Sequence, residues 1–467
     1  MNQPNIADRN EPVQQLSRSL KGRHLAMISI GGIIGAGLFV GSSSSIKAAG
    51  PAVFISYVIT GILILLVMRM LGEMATALPK VRSFTEFARA GLGDGAGFVV
   101  GWLYWYFWVI VVPAEAIAGA RIVQVWLPQL SQLQIGVGLM GIMTAVNLMS
   151  ARSYAEFEFW FASIKVAAIL VFIVIAASFA FGWTSPTGAT FGNLINNGGF
   201  TPHSWVAVIA AAPAVFFAMT GAEITTVAAA ESEQPGRAIA KMTTAVIWRI
   251  LIFYVVSVFL IVSVIPWNTV VSGESPFTLA LKTMNVPWAP AIMSGIILTA
   301  VLSCLNSAFY VSSRVLFVLA ERGDAPQSFV KLNKRRVPVV SVLIGAAAGF
   351  LGIIAATEAP QKVFDFLVSA SGALMVFVYT ATSIAQIVLR RRREAKGEAN
   401  PPITMWLFPY LSYAAIACMG AVLVSMAFTP GQQNDLFFSC ITLAVTVLAY
   451  LVVRRMRQPR VAAEPAA

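Results

Sequence analysis

Charge, histidine and cysteine are all scarce in this sequence. Only 11% of its 467 residues are Asp, Glu, Lys or Arg, against about 25% in soluble proteins. Two histidines and three cysteines are too few for a metal cluster, and Cys304, Cys418 and Cys440 each sit inside an apolar stretch, which is no disulfide framework. A Gly-Lys-Ser/Thr phosphate loop is absent, so no ATP-driven step is expected. No aspartate falls in the middle of an apolar run. Gly91-Leu92-Gly93-Asp94 has the spacing of an intramembrane aspartyl protease, but it lacks the second acid that chemistry needs. Residues 1–23 are polar and carry no apolar core of a secretory signal. These gaps exclude a soluble enzyme, a fibrous chain and a disordered one. The expectation is no catalytic residues, no cofactor and no metal.

Apolar residues are abundant, at 58%. Runs of helical length bounded by Gly, Pro or charge number twelve, near 24–46, 51–71, 98–126, 133–149, 154–182, 204–230, 239–265, 288–320, 338–357, 363–389, 404–428 and 435–453. In lipid every backbone polar group must be satisfied internally, so the expected class is an all-α integral membrane protein with twelve spans. Lys and Arg are divided unevenly between its two sides. One set of alternating connections holds 25 of the 32, the other only Lys47, Lys282 and Lys362, and Arg121, Lys165, Arg249 and Arg314 fall within spans. This bias predicts both termini in the cytoplasm. It also accounts for most of the net charge of +12 without a nucleic-acid partner.

Two spans carry marks of interruption. The first contains Gly31-Gly32-Ile33-Ile34-Gly35-Ala36-Gly37, and each glycine costs about 1 kcal/mol relative to alanine inside a helix. The sixth runs Phe216-Phe217-Ala218-Met219-Thr220-Gly221-Ala222-Glu223. The two lie five spans apart, and five is odd, so a second copy of such a unit enters the membrane upside down. Paired broken helices in an inverted repeat form a mid-membrane site in many secondary transporters. Half-helix N-termini there face an anion, and freed carbonyls face a cation.

These residues resemble a known family. Ser29 to Phe39 is similar to the first-helix motif of the amino acid–polyamine–organocation transporters. The frame from Ala49-Gly50-Pro51 to Gly72-Glu73, followed by Pro79, resembles the amino-acid permease signature, as do Glu156 to Trp160, Gly221-Ala222-Glu223, Ala228 to Glu231, and Arg322 to Pro326. Gly101 to Trp108 and Ser303 to Ala308 look most like the 4-aminobutyrate (GABA) permease branch. The likeness covers about residues 20 to 455. It implies a leucine-transporter-like 5+5 inverted repeat forming a transport core over 24–389. Around that core it leaves a polar tail over 1–23, a basic loop over 390–403, peripheral helices within 404–453 and a second tail over 454–467. It further implies uptake of a small amino acid together with H⁺ across the cytoplasmic (inner) membrane. GABA is the first candidate substrate, and a proline permease or an exchanger on the same fold stays open.

By this likeness the substrate carboxylate meets N–H groups of Gly35, Ala36 and Gly37. Its ammonium meets carbonyls near Ile33 and around Phe217 and Thr220, with Phe217 as a lid. A fifth-helix lysine stands where sodium-coupled relatives bind sodium, and Lys165 is similar in position. Lys165 also lies 13 residues beyond Arg152, about 20 Å along a helix at ~1.5 Å per residue, too deep for easy snorkelling. It is therefore either a permanently paired strut or a titrating group. Glu115, just after Pro113, is a candidate proton or amine partner. Glu223 is a candidate link from the pocket to the inner gate. Ser303, Asn306 and Ser307 in the eighth span are candidates to face Lys165, and the likeness puts Cys304 near the pathway. The aromatic run Tyr104 to Trp108 reads more simply as an interface belt or packing surface.

Overall fold

The computed structural model describes residues 34–79, 81, 84–149, 151–224 and 250–457. Among them the regular structure is helical throughout, and no strand occurs. The helices are α1 (Ala36–Phe39), α2 (Ser42–Ala49), α3 (Val53–Ala77), α4 (Phe84–Leu92), α5 (Asp94–Trp126), α6 (Gln132–Asn147), α7 (Ala151–Ala180), α8 (Trp205–Ala210) and α9 (Ala212–Met219). After a π-helical stretch at Ile250–Val256 come α10 (Ser257–Val264), α11 (Pro276–Thr283), α12 (Ala289–Glu321), α13 (Val339–Ala355), α14 (Pro360–Ala395), α15 (Tyr410–Phe428) and α16 (Gln433–Arg457).

Each of the twelve expected spans holds helix within the described residues. Seven helical stretches there are long and apolar enough to cross a membrane. The first of these runs from Ala36 to Ala77, but Gly50 at φ +67° turns the chain between α2 and α3. A side chain is disfavoured at that backbone angle. Helix α16 shows why a membrane is needed: Phe437 is 61% exposed and Leu448 60%. Such an apolar face is a liability in water and is what lipid requires.

Two helices were not anticipated. In α4, Arg89 gathers Glu86 (3.2 Å), Asp94 (2.8 Å) and Asp324, while Arg322 reaches Glu86 at 2.8 Å. This ties α4 to the start of α5 and to the turn after α12, and it gives Asp94 a structural partner. The other is α11, which starts at Pro276, with the Ser275 hydroxyl accepting from Thr278 N–H at 3.4 Å. Both are too short for a span-seeking reading.

The centre of the molecule is packed with large side chains. Tyr57, Tyr104, Trp108, Tyr254, Tyr310, Tyr379 and Lys165 are all fully buried. A buried carboxylate, Glu73 on α3, accepts from Gln386 (3.0 Å) on α14 and from Met405 N–H (2.6 Å), fastening the segment before α15.

Candidate functional site

Helix α1 begins abruptly. Gly35 is extended (φ −139°, ψ −153°) and Ala36 opens the helix. A half-helix start leaves N–H groups without intrahelical partners. Ala36 N–H donates to both carboxylate oxygens of Glu115, at 3.1 Å each. A carboxylate of the protein thus stands where one from a ligand is expected to dock. Ile33 lies outside the described residues.

The second break faces the first. Helix α9 ends at Met219, Thr220 is extended (ψ 143°) and Gly221 takes φ +128°. Thr220 Oγ1 donates back to Phe216 O at 2.7 Å. The halves approach so closely that a β-carbon on Gly37 would lie 2.6 Å from Ala218 Cα. One on Gly35 would lie 2.6 Å from Cys304 Cβ and 2.8 Å from Glu115 Oε1. Glycine is required at both positions because backbone and carboxylate fill the space a side chain would take. Gly35, Glu115, Phe217, Thr220 and Cys304 therefore share one site. They line a cavity of about 10 Å³, which is room for about one water molecule. An amino acid enters only if the halves separate.

Trp108 and Phe107 line this cavity, and with Tyr104 they are buried. Of the two readings of the aromatic run, this face is a packing surface and not an interface belt. Residues 104, 107, 108 and 111 recur at helical spacing toward the core, while Tyr106 turns outward.

Lys165 on α7 is fully buried and has partners. Its Nζ donates to Ser303 Oγ at 2.7 Å, Ser303 donates to Glu158 Oε2 at 2.5 Å, and Nζ lies 3.8 Å from Glu158 Oε1. Ser307 Oγ reaches the same carboxylate at 3.5 Å. Cys304 and Glu115 stand side by side against Gly35 in the cavity wall. Asn306 points elsewhere and accepts from Asn147 Nδ2 of α6 at 2.7 Å. The sequence reading missed Glu158 as a participant, although it lies seven residues, or two turns, before Lys165 on the same helix face.

Glu223 is held within its own break. Its Oε2 accepts from Gly221 N–H at 3.1 Å and from Tyr379 OH of α14 at 2.8 Å, and Oε1 accepts from Tyr104 OH at 3.4 Å. The sequence reading missed Tyr379, and it named Tyr104 only as part of the aromatic run. Glu231 and Arg249 lie outside the described residues. Arg314 lies over the Tyr310 ring at 4.0 Å and donates to Ser313.

The family model described as amino acid permease matches residues 24–462. The chain is 41% identical to the gamma-aminobutyric acid permease of Bacillus subtilis over 98% of both chains. With the protein of that name in Escherichia coli it shares 43%, covering 90% of this chain and 91% of the relative. It is 35% identical to an aromatic amino acid transport protein of Salmonella typhimurium, over 96% and 97% of the two chains. Among solved structures it resembles a manganese transporter of Eremococcus coleocola, with a TM-score of 0.56 at 12% identity over 96% and 98% of the chains. At that identity the likeness speaks for the fold, which is leucine-transporter-like.

Proposed function

The chain belongs to the amino acid permease family, and on that footing we propose that it drives uptake of a small zwitterionic amino acid, 4-aminobutyrate first, by proton symport across the cytoplasmic membrane. The observation that carries this reading is the pair of hydrogen bonds from Ala36 N–H to Glu115. The end of α1 is an anion site, and an internal carboxylate fills it while the cavity is closed. An incoming substrate carboxylate takes over the N–H groups of Gly35, Ala36 and Gly37, and its ammonium meets carbonyls around Phe217 and Thr220. Two ionised carboxylates at one buried helix end repel each other. Glu115 therefore yields its place by accepting a proton, and this couples substrate to H⁺.

Lys165, joined to Glu158 through Ser303, is the second station for the proton. Glu223, clamped by Tyr104 and Tyr379, connects the second break to α5 and α14, which move when the pathway opens. The end rich in Lys and Arg faces the cytoplasm, so the α2–α11 end is external.

Sodium-free proteoliposomes, acidic outside and neutral inside, test the reading: labelled 4-aminobutyrate accumulates and a protonophore abolishes the accumulation. Accumulation that requires sodium, or that ignores the pH gradient, overturns it.

A further inference from the structure

A second cavity, of about 730 Å³, opens at the external end between α5, α11, α12 and the 271–275 segment. It is far larger than the central one. Arg121 of α5, Glu274 and Lys282 line it. Arg121 Nη1 donates to Gln361 Oε1 of α14 and to Gly273 O at 3.3 Å, both of them neutral oxygens. No carboxylate lies within ion-pairing distance of this guanidinium among the described residues, although Asp365 and Glu274 are its charged neighbours. Asp365 is already engaged, accepting from Ser44 of α2 at 2.7 Å and from Gln361 at 3.1 Å. Gly273 N–H in turn donates to Ser43 Oγ of α2 at 2.8 Å. Arg121 thus fastens α14 to the 271–275 segment, while α2 is tied to both separately through Ser43 and Ser44. Gly273 has φ +78°, and a β-carbon there would run into the Arg121 and Gln361 side chains, so the Arg121 tie is made around a glycine.

A guanidinium prefers a carboxylate, which it can grip with two parallel N–H bonds, to isolated neutral carbonyls. We propose that the external cavity is an outer binding site for the substrate zwitterion, in which Arg121 takes the carboxylate and Glu274 the ammonium before the central site opens. The same exchange releases Gln361 and the Gly273 carbonyl, so occupancy of the outer site loosens the tie between α14 and the 271–275 segment. This rests on the amino-acid uptake reading above.

The test places a reporter thiol in the cavity: Ser272→Cys, in a chain whose exposed Cys418 and Cys440 are replaced by alanine and whose central site is blocked by Gly37→Val. External 4-aminobutyrate is expected to slow labelling of the introduced thiol by a membrane-impermeant maleimide. Adding Arg121→Gln should weaken that protection roughly tenfold, the loss of one charge-assisted contact, and Arg121→Lys should restore part of it. Absence of protection in the Gly37→Val background, or protection untouched by Arg121→Gln, overturns the proposal. Should Gly37→Val fail to insert, equilibrium dialysis on the otherwise intact protein decides. It is expected to return two 4-aminobutyrate sites per chain and one after Arg121→Gln, and a single site in the parent overturns the outer site. Uptake by the unsubstituted protein in the same vesicles scores the transport reading by itself.

Discussion

The Lys165–Glu158 pair separates a strut from a carrier. The two charged ends are 3.8 Å apart and neither side chain has any exposed surface. At an effective dielectric constant of ~20 this separation corresponds to about 4 kcal/mol of attraction. Removing one partner leaves the other charge buried alone, which destabilises by about 3–5 kcal/mol in comparable buried pairs. Lys165→Met and Glu158→Gln should each lower the melting temperature of the purified protein by several degrees, and the double substitution should recover most of the loss. That is the stability side, and both roles share it. Transport distinguishes them. A carrier predicts that Lys165→Met in proteoliposomes loses accumulation driven by a pH gradient yet keeps counterflow of labelled 4-aminobutyrate. A strut predicts loss of both together. Unchanged melting in the single variants, or undiminished accumulation without Lys165, would refute the reasoning from this geometry.

Gly37→Ala places a β-carbon 2.6 Å from Ala218 Cα, a backbone atom that cannot swing aside. Equilibrium binding of 4-aminobutyrate should fall at least several-fold while membrane insertion persists; wild-type affinity would contradict the close approach of the two breaks. Tyr379→Phe removes the 2.8 Å bond to Glu223 and Tyr104→Phe the 3.4 Å one. Because hydrogen bonds weaken with length, the first should cost about 1–3 kcal/mol and the second less, a ranking that thermal melts of the two variants check. Asn306→Ala cuts the tie between α6 and α12 and should lower stability while leaving the pH dependence of uptake unaltered, since Asn306 does not face Lys165.

The sequence shows the breaks because their cause is local. Glycine at Gly35 and at mid-span Gly221 disfavours helix through its own backbone freedom, and among the described residues α1 starts at Ala36 and α9 stops at Met219. Helical faces are legible too, when the period is applied strictly. Ser303 and Ser307 are four residues apart and both reach Glu158, while Asn306, about 60° round the helix from Ser303, reaches α6 instead. The same count divides the aromatic run into a buried face at 104, 107 and 108 and an outward one.

Partners across the fold leave no such trace. Glu115 and Ala36 are 79 residues apart and Arg121 and Gln361 are 240 apart, and no periodicity within either helix names the other. Yet these long-range pairs turn a set of spans into a device. One carboxylate accepts from Ala36 N–H and one guanidinium joins Gln361 to Gly273, and on the proposed reading each yields its place to the substrate. A substrate that carries both a carboxylate and an ammonium can compete at both positions, first for Arg121 and then for Ala36 N–H. On the two proposals together, closure at both depths responds to the same chemical feature of the ligand, and a molecule lacking the carboxylate should open neither.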